Sequence, residues 1–158
     1  MGPVGPCWAL LGPDGCIAHM ILVVDASVII KWLFNDPERE AGTKQATALM
    51  AAVVRGEHRV VQPQHWLIEV AAVMVRETPE RAQEDLALLA AMALPVREDF
   101  AVLMRACALA VDLKHHLFDT LYHAVALESD ARLITADDRY HRKARALPAI
   151  QHLSHWDG

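Results

Sequence analysis

The chain has 158 residues, a length that suits one domain large enough to bury its own core. Apolar residues make up 54 % of the chain, which excludes a disordered protein, and no apolar run approaches the roughly 20 residues that span a membrane. The formal net charge of −5 excludes a protein that holds nucleic acid by overall positive charge, so such binding would need a local basic patch or metal ions.

Residues 1–19 differ in composition from the rest of the chain. They contain three Pro, four Gly and two Cys but no Lys or Arg, whereas a signal peptide needs a positively charged start. We therefore expect an N-terminal extension over 1–19, a domain over 20–153 and a C-terminal tail over 154–158. The three cysteines are an odd number without the spacing of a zinc motif, which favours a reduced, cytoplasmic protein.

Short apolar runs alternate with amphipathic repeats along the domain. The run 21–24 is continuous and β-branched, as in a buried parallel strand, and 118–125 repeats apolar residues at helical spacing. This alternation predicts an α/β fold with a parallel sheet covered by helices. The predicted strands are 21–24, 59–61, 95–96, 131–135 and 149–153. The predicted helices are 26–34, 38–55, 63–76 with Pro63 in its first turn, one opened by 78–80, 98–114, one through 118–125, and 138–146.

Acidic residues stand at the ends of two predicted strands. Asp25 directly follows the first strand, and Asp137 comes two residues after Thr135, at the end of another. Because sites in parallel sheets form beyond the carboxyl ends of the strands, both acids are expected at one edge. Helix N-capping is the alternative for each, and Asp119 in the first turn of its helix has a similar alternative through the helix dipole.

Glu69 is the only polar residue in the apolar helical segment 66–75. A helix that is apolar all round is buried, and a buried glutamate needs a partner. N-capping cannot explain a residue inside a helix. The alternatives are an exposed helix edge or an ion pair with an arginine.

Four carboxylates close together would repel one another and resist ionisation unless a cation is present. Mg²⁺ or Mn²⁺ fits such a group, because these cations prefer oxygen ligands and retain water. One or two such ions can activate a water molecule and stabilise the charge that develops on a phosphoryl group. The acids therefore favour a metal site that hydrolyses phosphate esters.

Four motifs contain these acids. They are Val24-Asp25-Ala26-Ser27, Glu69 in its apolar helix, Phe118-Asp119-Thr120-Leu121-Tyr122-His123-Ala124-Val125-Ala126, and Leu133-Ile134-Thr135-Ala136-Asp137. Together they resemble the successive acidic motifs of PIN-domain ribonucleases, over about residues 20–153. Among these proteins the chain is most similar to the VapC toxins of bacterial and archaeal toxin–antitoxin pairs.

The resemblance implies a PIN-like three-layer α/β/α sandwich with a small parallel sheet and Mg²⁺- or Mn²⁺-dependent cleavage of RNA. A homodimer is also implied, together with a cognate VapB-like antitoxin whose tail enters the active-site groove. Ser27 and Thr135 would orient a water molecule or an acid, and Asp138 could share or replace the role of its neighbour. The metal-binding acids would be Asp25, Glu69, Asp119 and Asp137.

A basic cluster follows the fourth acid. Arg139, Arg142 and Lys143 could hold RNA phosphates beside the metal. The alternative is a solvated helix face with local ion pairs.

A histidine pattern offers another metal. His115, Asp119 and His123 would share one helix face and could bind Zn²⁺ if the helix began early enough. We expect His115 and His116 to lie in the connection before that helix, which disfavours zinc.

The preferred hypothesis is a metal-dependent endoribonuclease, the toxin of a toxin–antitoxin pair. One alternative is a metal-dependent DNA nuclease or phosphatase that uses the same acids. Another is a non-catalytic PIN-like interaction module. The presence of all four acids favours an enzyme.

Overall fold

The computed structural model describes residues 19–34 and 41–157, so the predicted break at 35–37, the first residues of the second helix and most of the predicted extension lie outside these ranges. The strands are β1 (Ile21–Val24), β2 (Arg59–Val60), β3 (Gln62–Pro63), β4 (Val96–Arg97), β5 (Arg132–Thr135) and β6 (Ile150–His152). The helices are α1 (Ala26–Phe34), α2 (Thr43–Val54), α3 (Trp66–Glu77), α4 (Ala82–Ala91), α5 (Phe100–Leu113), α6 (Leu117–Glu128) and α7 (Asp138–Ala144). A 3₁₀ turn, Leu153–His155, follows β6.

The main sheet has four parallel strands in the order β2-β1-β5-β6. β1 lies inside the sheet, and Leu22, Val23 and Val24 are fully buried, as expected for a continuous apolar strand covered on both faces. Leu22 pairs with Val60 on one side and with Arg132 on the other. β3 and β4 form a second, two-stranded parallel sheet.

Helices cover the main sheet and complete an α/β sandwich, which confirms the predicted fold class. α6 contacts β1 and β5, α1 contacts β5, and α7 contacts β6. α5 packs along α6, where the hydroxyl of Thr120 donates a hydrogen bond to the carbonyl of Ala106 at 2.9 Å. Within residues 19–34 and 41–157, no helix combines the length and apolar character needed to cross a membrane.

The connection between α5 and α6 is short and places two histidines before α6. Lys114 adopts a left-handed conformation with φ of 48°, which ends α5. His116 is extended and precedes the first residue of α6. The prediction that His115 and His116 lie in the connection is therefore confirmed.

Pro63 lies in a strand, so its predicted place in the first turn of a helix is wrong. It pairs with Arg97 across the small sheet, and α3 begins only at Trp66. The fixed φ of proline suits an edge strand as well as a helix start, and pairing with β4 decides between them.

Two other helices begin later than predicted. Ala41 and Gly42 form a turn, with φ of 85° at Gly42, so α2 begins at Thr43. Turn residues likewise precede α4, which begins at Ala82. The ends of both β1 and β5 match the predicted strands, and these ends position the candidate site.

Candidate functional site

Asp25 and Asp137 lie at the same edge of the main sheet, as their positions after two strands predict. β1 and β5 are parallel neighbours, and the backbone N–H of Asp25 donates a hydrogen bond to the carbonyl of Ile134 at 3.0 Å. The carboxyl ends of the two strands therefore adjoin. Asp25 and Asp137 follow these two strand ends and lie just beyond the sheet.

Two hydroxyl groups hold the Asp25 carboxylate across this edge. Oδ2 of Asp25 accepts hydrogen bonds from Ser27 Oγ at 2.6 Å and from Thr135 Oγ1 at 2.7 Å. The same hydroxyls accept from the backbone, because Ala136 N donates to Ser27 Oγ and Asp137 N donates to Thr135 Oγ1, each at 3.0 Å. Ser27 and Thr135 thus fix the orientation of one acid relative to the backbone of the next.

Capping explains one of the strand-end acids and not the other. Asp137 is the N-cap of α7, since its Oδ1 accepts from the backbone N–H groups of Arg139 at 2.7 Å and Tyr140 at 2.9 Å. The carboxylate of Asp25 instead accepts from side-chain hydroxyls. Asp25 is therefore an acid for which helix capping gives no account.

Asp119 lies in the first turn of α6 and contacts a histidine from the preceding connection. Nε2 of His115 is 2.8 Å from Oδ2 of Asp119, and the His115 side chain is almost fully buried. His116, the N-cap of α6, makes no side-chain capping hydrogen bond. The first turn of α6 therefore carries Asp119 beside an imidazole ring.

Glu69 is partly buried, and among the described residues it pairs with an aromatic hydroxyl and not with an arginine. Its Oε2 accepts a hydrogen bond from Tyr122 Oη at 2.9 Å and lies 3.4 Å from His65 Nε2. Burial, the largest cause, raises the pKa of Tyr122 well above its ordinary value, so the phenol stays protonated and donates. Tyr122 thus holds Glu69 from the face of α6.

Burial is the largest cause that raises the pKa of Asp25, to about 6. The hydrogen bonds from Ser27 and Thr135 oppose this rise, since they stabilise the carboxylate. The charges of Glu69 and Asp119 add to it. The charges of both acids therefore act on the pKa of Asp25, although the two acids come from different helices.

Asp119 connects the remaining acid to this group. Burial raises its pKa, the neighbouring His115 lowers it, and the charges of Glu69 and Asp137 raise it again. All four predicted acids are consequently linked by electrostatic repulsion. Acids arranged in this way ionise together more easily when a cation neutralises them.

Three side chains approach closely enough to share one metal ion. His115, Asp119 and Asp137 each offer a ligand atom, and these atoms lie within 4.8 Å of one another. Within the described ranges of the chain, no other group of three metal-ligating side chains has ligand atoms this close together. The sequence pattern placed Asp119 and Asp137 in a metal site but did not place His115 with both.

The zinc alternative on one helix face, which the sequence disfavoured, is not formed. His115 precedes α6, and His123 is buried elsewhere, with Nδ1 2.9 Å from Tyr140 Oη and Nε2 2.8 Å from the carbonyl oxygen of Pro148. Burial, the largest cause, lowers the pKa of His123, so the ring is held neutral in a structural hydrogen-bond pair. Of the two histidines spaced four residues from Asp119, His115 is its neighbour in the structure, whereas His123 belongs to the core.

The remaining predicted residues lie on or beside α7. Asp138 is 81 % exposed, and its Oδ1 is 3.3 Å from His152 Nε2 on β6, so it points to a different neighbour from Asp137. The side chains of Arg139 and Arg142 are exposed. Lys143 Nζ donates a hydrogen bond to the backbone carbonyl of Lys114 at 2.7 Å.

A comparison with family models matches residues 22–146 to the PIN domain. This range contains all four acids, the whole of β5 and all of β1 except its first residue. No curated protein matches the sequence significantly.

Several solved structures share the fold at low sequence identity. A toxin–antitoxin complex from Klebsiella pneumoniae matches with 18 % identity and a TM-score of 0.60, over 84 % of this chain and 97 % of that chain. VapBC-1 from nontypeable Haemophilus influenzae matches with 19 % identity and a TM-score of 0.60, over 85 % and 99 %. VapBC2 from Rickettsia felis, bound to a DNA fragment from the promoter of these proteins, matches with 13 % identity and a TM-score of 0.60. The match covers 84 % of this chain and 98 % of that chain. The family match and this fold agree, and the chain belongs to the PIN-domain family.

Proposed function

We propose that the chain is the toxin of a toxin–antitoxin pair and that it cleaves RNA with the help of Mg²⁺ or Mn²⁺. The observation that carries this proposal is the set of electrostatically linked acids at the carboxyl edge of the sheet. PIN-domain nucleases are hydrolases that act on nucleic acids and generally use divalent metals. The toxin–antitoxin complexes among the structures with this fold support the same role.

The donor atoms of the site fit a divalent cation. Partial burial is the largest cause that raises the pKa values of Asp25 and Asp119, and a bound cation would stabilise their ionised forms. Asp119 and Asp137 would hold the ion, with Asp25 and Glu69 as further ligands or as ligands of its water molecules. When bound, the ion supplies a Lewis acid that lowers the pKa of water and stabilises charge on a phosphate.

The chain's own side chains prepare the site for this chemistry. Ser27 and Thr135 orient Asp25, and Tyr122 orients Glu69, so that neither carboxylate has to reorganise when substrate arrives. Arg139 and Arg142 on the exposed face of α7 would contact the phosphates of an RNA strand near Asp137.

The partners follow from the same proposal. A VapB-like antitoxin would cover the site until it is removed, and the toxin would act as a homodimer in the cytoplasm. Purified toxin would sediment as a dimer, and its RNA cleavage would be inhibited again when the antitoxin is added back.

Asp25→Asn should reduce RNA cleavage to roughly 1 % or less, because losing even a partner of a metal ligand typically costs 10- to 100-fold. The matched control is Asp112→Asn, which changes an exposed aspartate on α5 and should leave the rate unchanged. Purified proteins would be compared on total RNA, on DNA and on a phosphate monoester, with Mg²⁺ or Mn²⁺ present.

Cleavage of RNA alone, lost in Asp25→Asn and kept in Asp112→Asn, is the result expected. Preference for DNA or for the monoester would move the assignment to the alternative enzymes. Absence of metal-dependent cleavage of every substrate would favour a non-catalytic module. Full activity of Asp25→Asn would rule out the assigned site.

A further inference from the structure

His115 is a buried histidine beside the acids of the candidate site. Its side chain is only 2 % exposed, and it lies between the left-handed Lys114 and the start of α6. Its ring packs against the ring of Tyr140, with 5.0 Å between the centroids. Buried polar groups almost always have a hydrogen-bond partner, so the partner of this ring is informative.

Neither ring nitrogen of His115 has a hydrogen-bond partner within the part of the chain that the structure describes. Nε2 is 2.8 Å from Oδ2 of Asp119, a short distance without the alignment of a hydrogen bond. An imidazole nitrogen and a carboxylate oxygen at this distance can bind the same cation.

Asp137 completes the set of ligands from a different element. One ligand atom from each of His115, Asp119 and Asp137 lies within 4.8 Å of the other two. Metal–ligand bonds of about 2.1 Å hold ligand atoms at most about 4.2 Å apart, so small side-chain adjustments would suffice. The set contains one nitrogen donor and two carboxylates.

We propose that His115 is a direct ligand of the metal ion held by Asp119 and Asp137, and that it makes this centre select manganese over magnesium. The inference rests on the proposed function for the assignment of the two acids as metal ligands. Mg²⁺ takes oxygen ligands and gives up water reluctantly, whereas imidazole nitrogen suits first-row transition metals. A nitrogen ligand therefore adds affinity for Mn²⁺ and little for Mg²⁺.

Pulsed electron paramagnetic resonance of the full chain loaded with Mn²⁺ tests this ligand without reference to activity. A coordinated imidazole gives ¹⁴N modulation of the Mn²⁺ signal, so the wild-type protein should show it. His115→Gln should lose the modulation, because Gln offers an oxygen donor at the position of Nε2. The matched control His116→Gln changes the adjacent exposed histidine and should retain it.

Calorimetric titration with Mn²⁺ and with Mg²⁺ measures the selectivity. The wild-type protein should bind Mn²⁺ more tightly than Mg²⁺. His115→Gln should reduce that ratio by at least about tenfold, since weaker changes around a metal ligand already cost 10- to 100-fold. His116→Gln should leave the ratio unchanged.

Mn²⁺ bound to the wild-type protein without ¹⁴N modulation, or modulation that persists in His115→Gln, would overturn the inference. If RNA cleavage is still metal-dependent in that case, the proposed function stands and only the ligand assignment fails. A Mn²⁺ centre with the predicted modulation in a chain that cleaves no RNA would support the inference and count against the proposed function. Failure of the wild-type protein to bind millimolar Mn²⁺ would also overturn the inference.

Discussion

Asp25 occupies a position that is unfavourable for a charged aspartate. Burial is the main reason that its pKa rises from 3.8 to about 6, and the nearby charges of Glu69 and Asp119 add to the rise. At neutral pH the metal-free protein therefore contains ionised carboxylates that repel one another. A bound divalent cation would relieve this repulsion and stabilise the folded state.

Asp25→Asn should make the metal-free protein more stable at pH 7.5. Because the folded-state pKa lies above the unfolded value of 3.8, the proton on Asp25 favours folding below about pH 4, and this contribution is lost as the pH rises through about 6. The neutral amide avoids that loss. We expect the free energy of unfolding to rise by about 1 to 3 kcal/mol.

Urea unfolding with a chelator present measures this change at pH 7.5 and at pH 4. The gain should be seen at pH 7.5 and should largely disappear at pH 4, where Asp25 is neutral in the folded wild-type protein as well. Asp112→Asn, on the exposed face of α5, should show no gain at either pH. A less stable Asp25→Asn protein at pH 7.5 would contradict the burial argument.

The site could be predicted from the sequence where local pattern determines position. The strand-end position of Asp25 and Asp137, and the isolation of Glu69 in an apolar helix, were visible as local features. Tyr122 could not be assigned to Glu69, because their contact joins residues 53 positions apart through the packing of α3 and α6. His115 could not be assigned either, since its place depends on the left-handed end of α5.

The side chain of Gln62 completes the backbone hydrogen bonding of β1 at the last residue of the strand. Gln62 is fully buried, its Nε2 donates to the carbonyl of Val24 at 2.8 Å, and its Oε1 accepts from the N–H of Val24 at 2.9 Å. The amide of Gln62 therefore takes the place of a neighbouring strand at the last residue of β1. Asp25 follows that residue directly, so Gln62 helps to fix its backbone.

Gln62→Leu should destabilise the protein by about 2 to 4 kcal/mol, because it leaves a buried N–H and a buried carbonyl of Val24 without partners. Chemical denaturation measures the loss. Gln64→Leu is the matched control at an exposed position two residues away and should change stability by less than about 0.5 kcal/mol. Equal stability of the Gln62 and Gln64 variants would show that the amide does not complete the strand.

The elements themselves were predictable to different degrees. β1, α1 and β5 follow from strong apolar patterns, and their bounds agree closely with the predictions. The start of α2 was misplaced because Gly42 adopts a left-handed turn conformation, and the start of α3 because a tertiary contact decides it. Pro63 pairs with β4, a strand more than thirty positions away, and no local pattern indicates that pairing.

The protein is acidic, and it is proposed to bind RNA, which is also an acidic polymer. The formal net charge is −5, so overall charge opposes association with RNA. Local positive charge on α7 and metal ions at the acids would have to overcome it. Arg139 and Arg142 are exposed arginines on α7, the helix that Asp137 caps.

Arg142→Ala should weaken RNA binding about equally for all sequences, because phosphate contacts carry no base information. It should also reduce the slope of log affinity against log salt concentration by about one. Binding would be measured at several salt concentrations in an Asp119→Asn background that prevents cleavage. Arg55→Ala, which changes an exposed arginine paired with Glu57, should leave the slope unchanged. An unaltered slope in Arg142→Ala would remove this residue from the RNA interface.

We propose that the linked acids act through a bound divalent metal to cleave RNA. The most direct test is the cleavage rate of purified, antitoxin-free protein on total RNA, first stripped of metal and then titrated with Mn²⁺. We predict no cleavage without metal, recovery in the wild-type protein and no recovery in Asp119→Asn. Cleavage in the presence of a chelator, or equal rates for the wild type and Asp119→Asn, would contradict the claim.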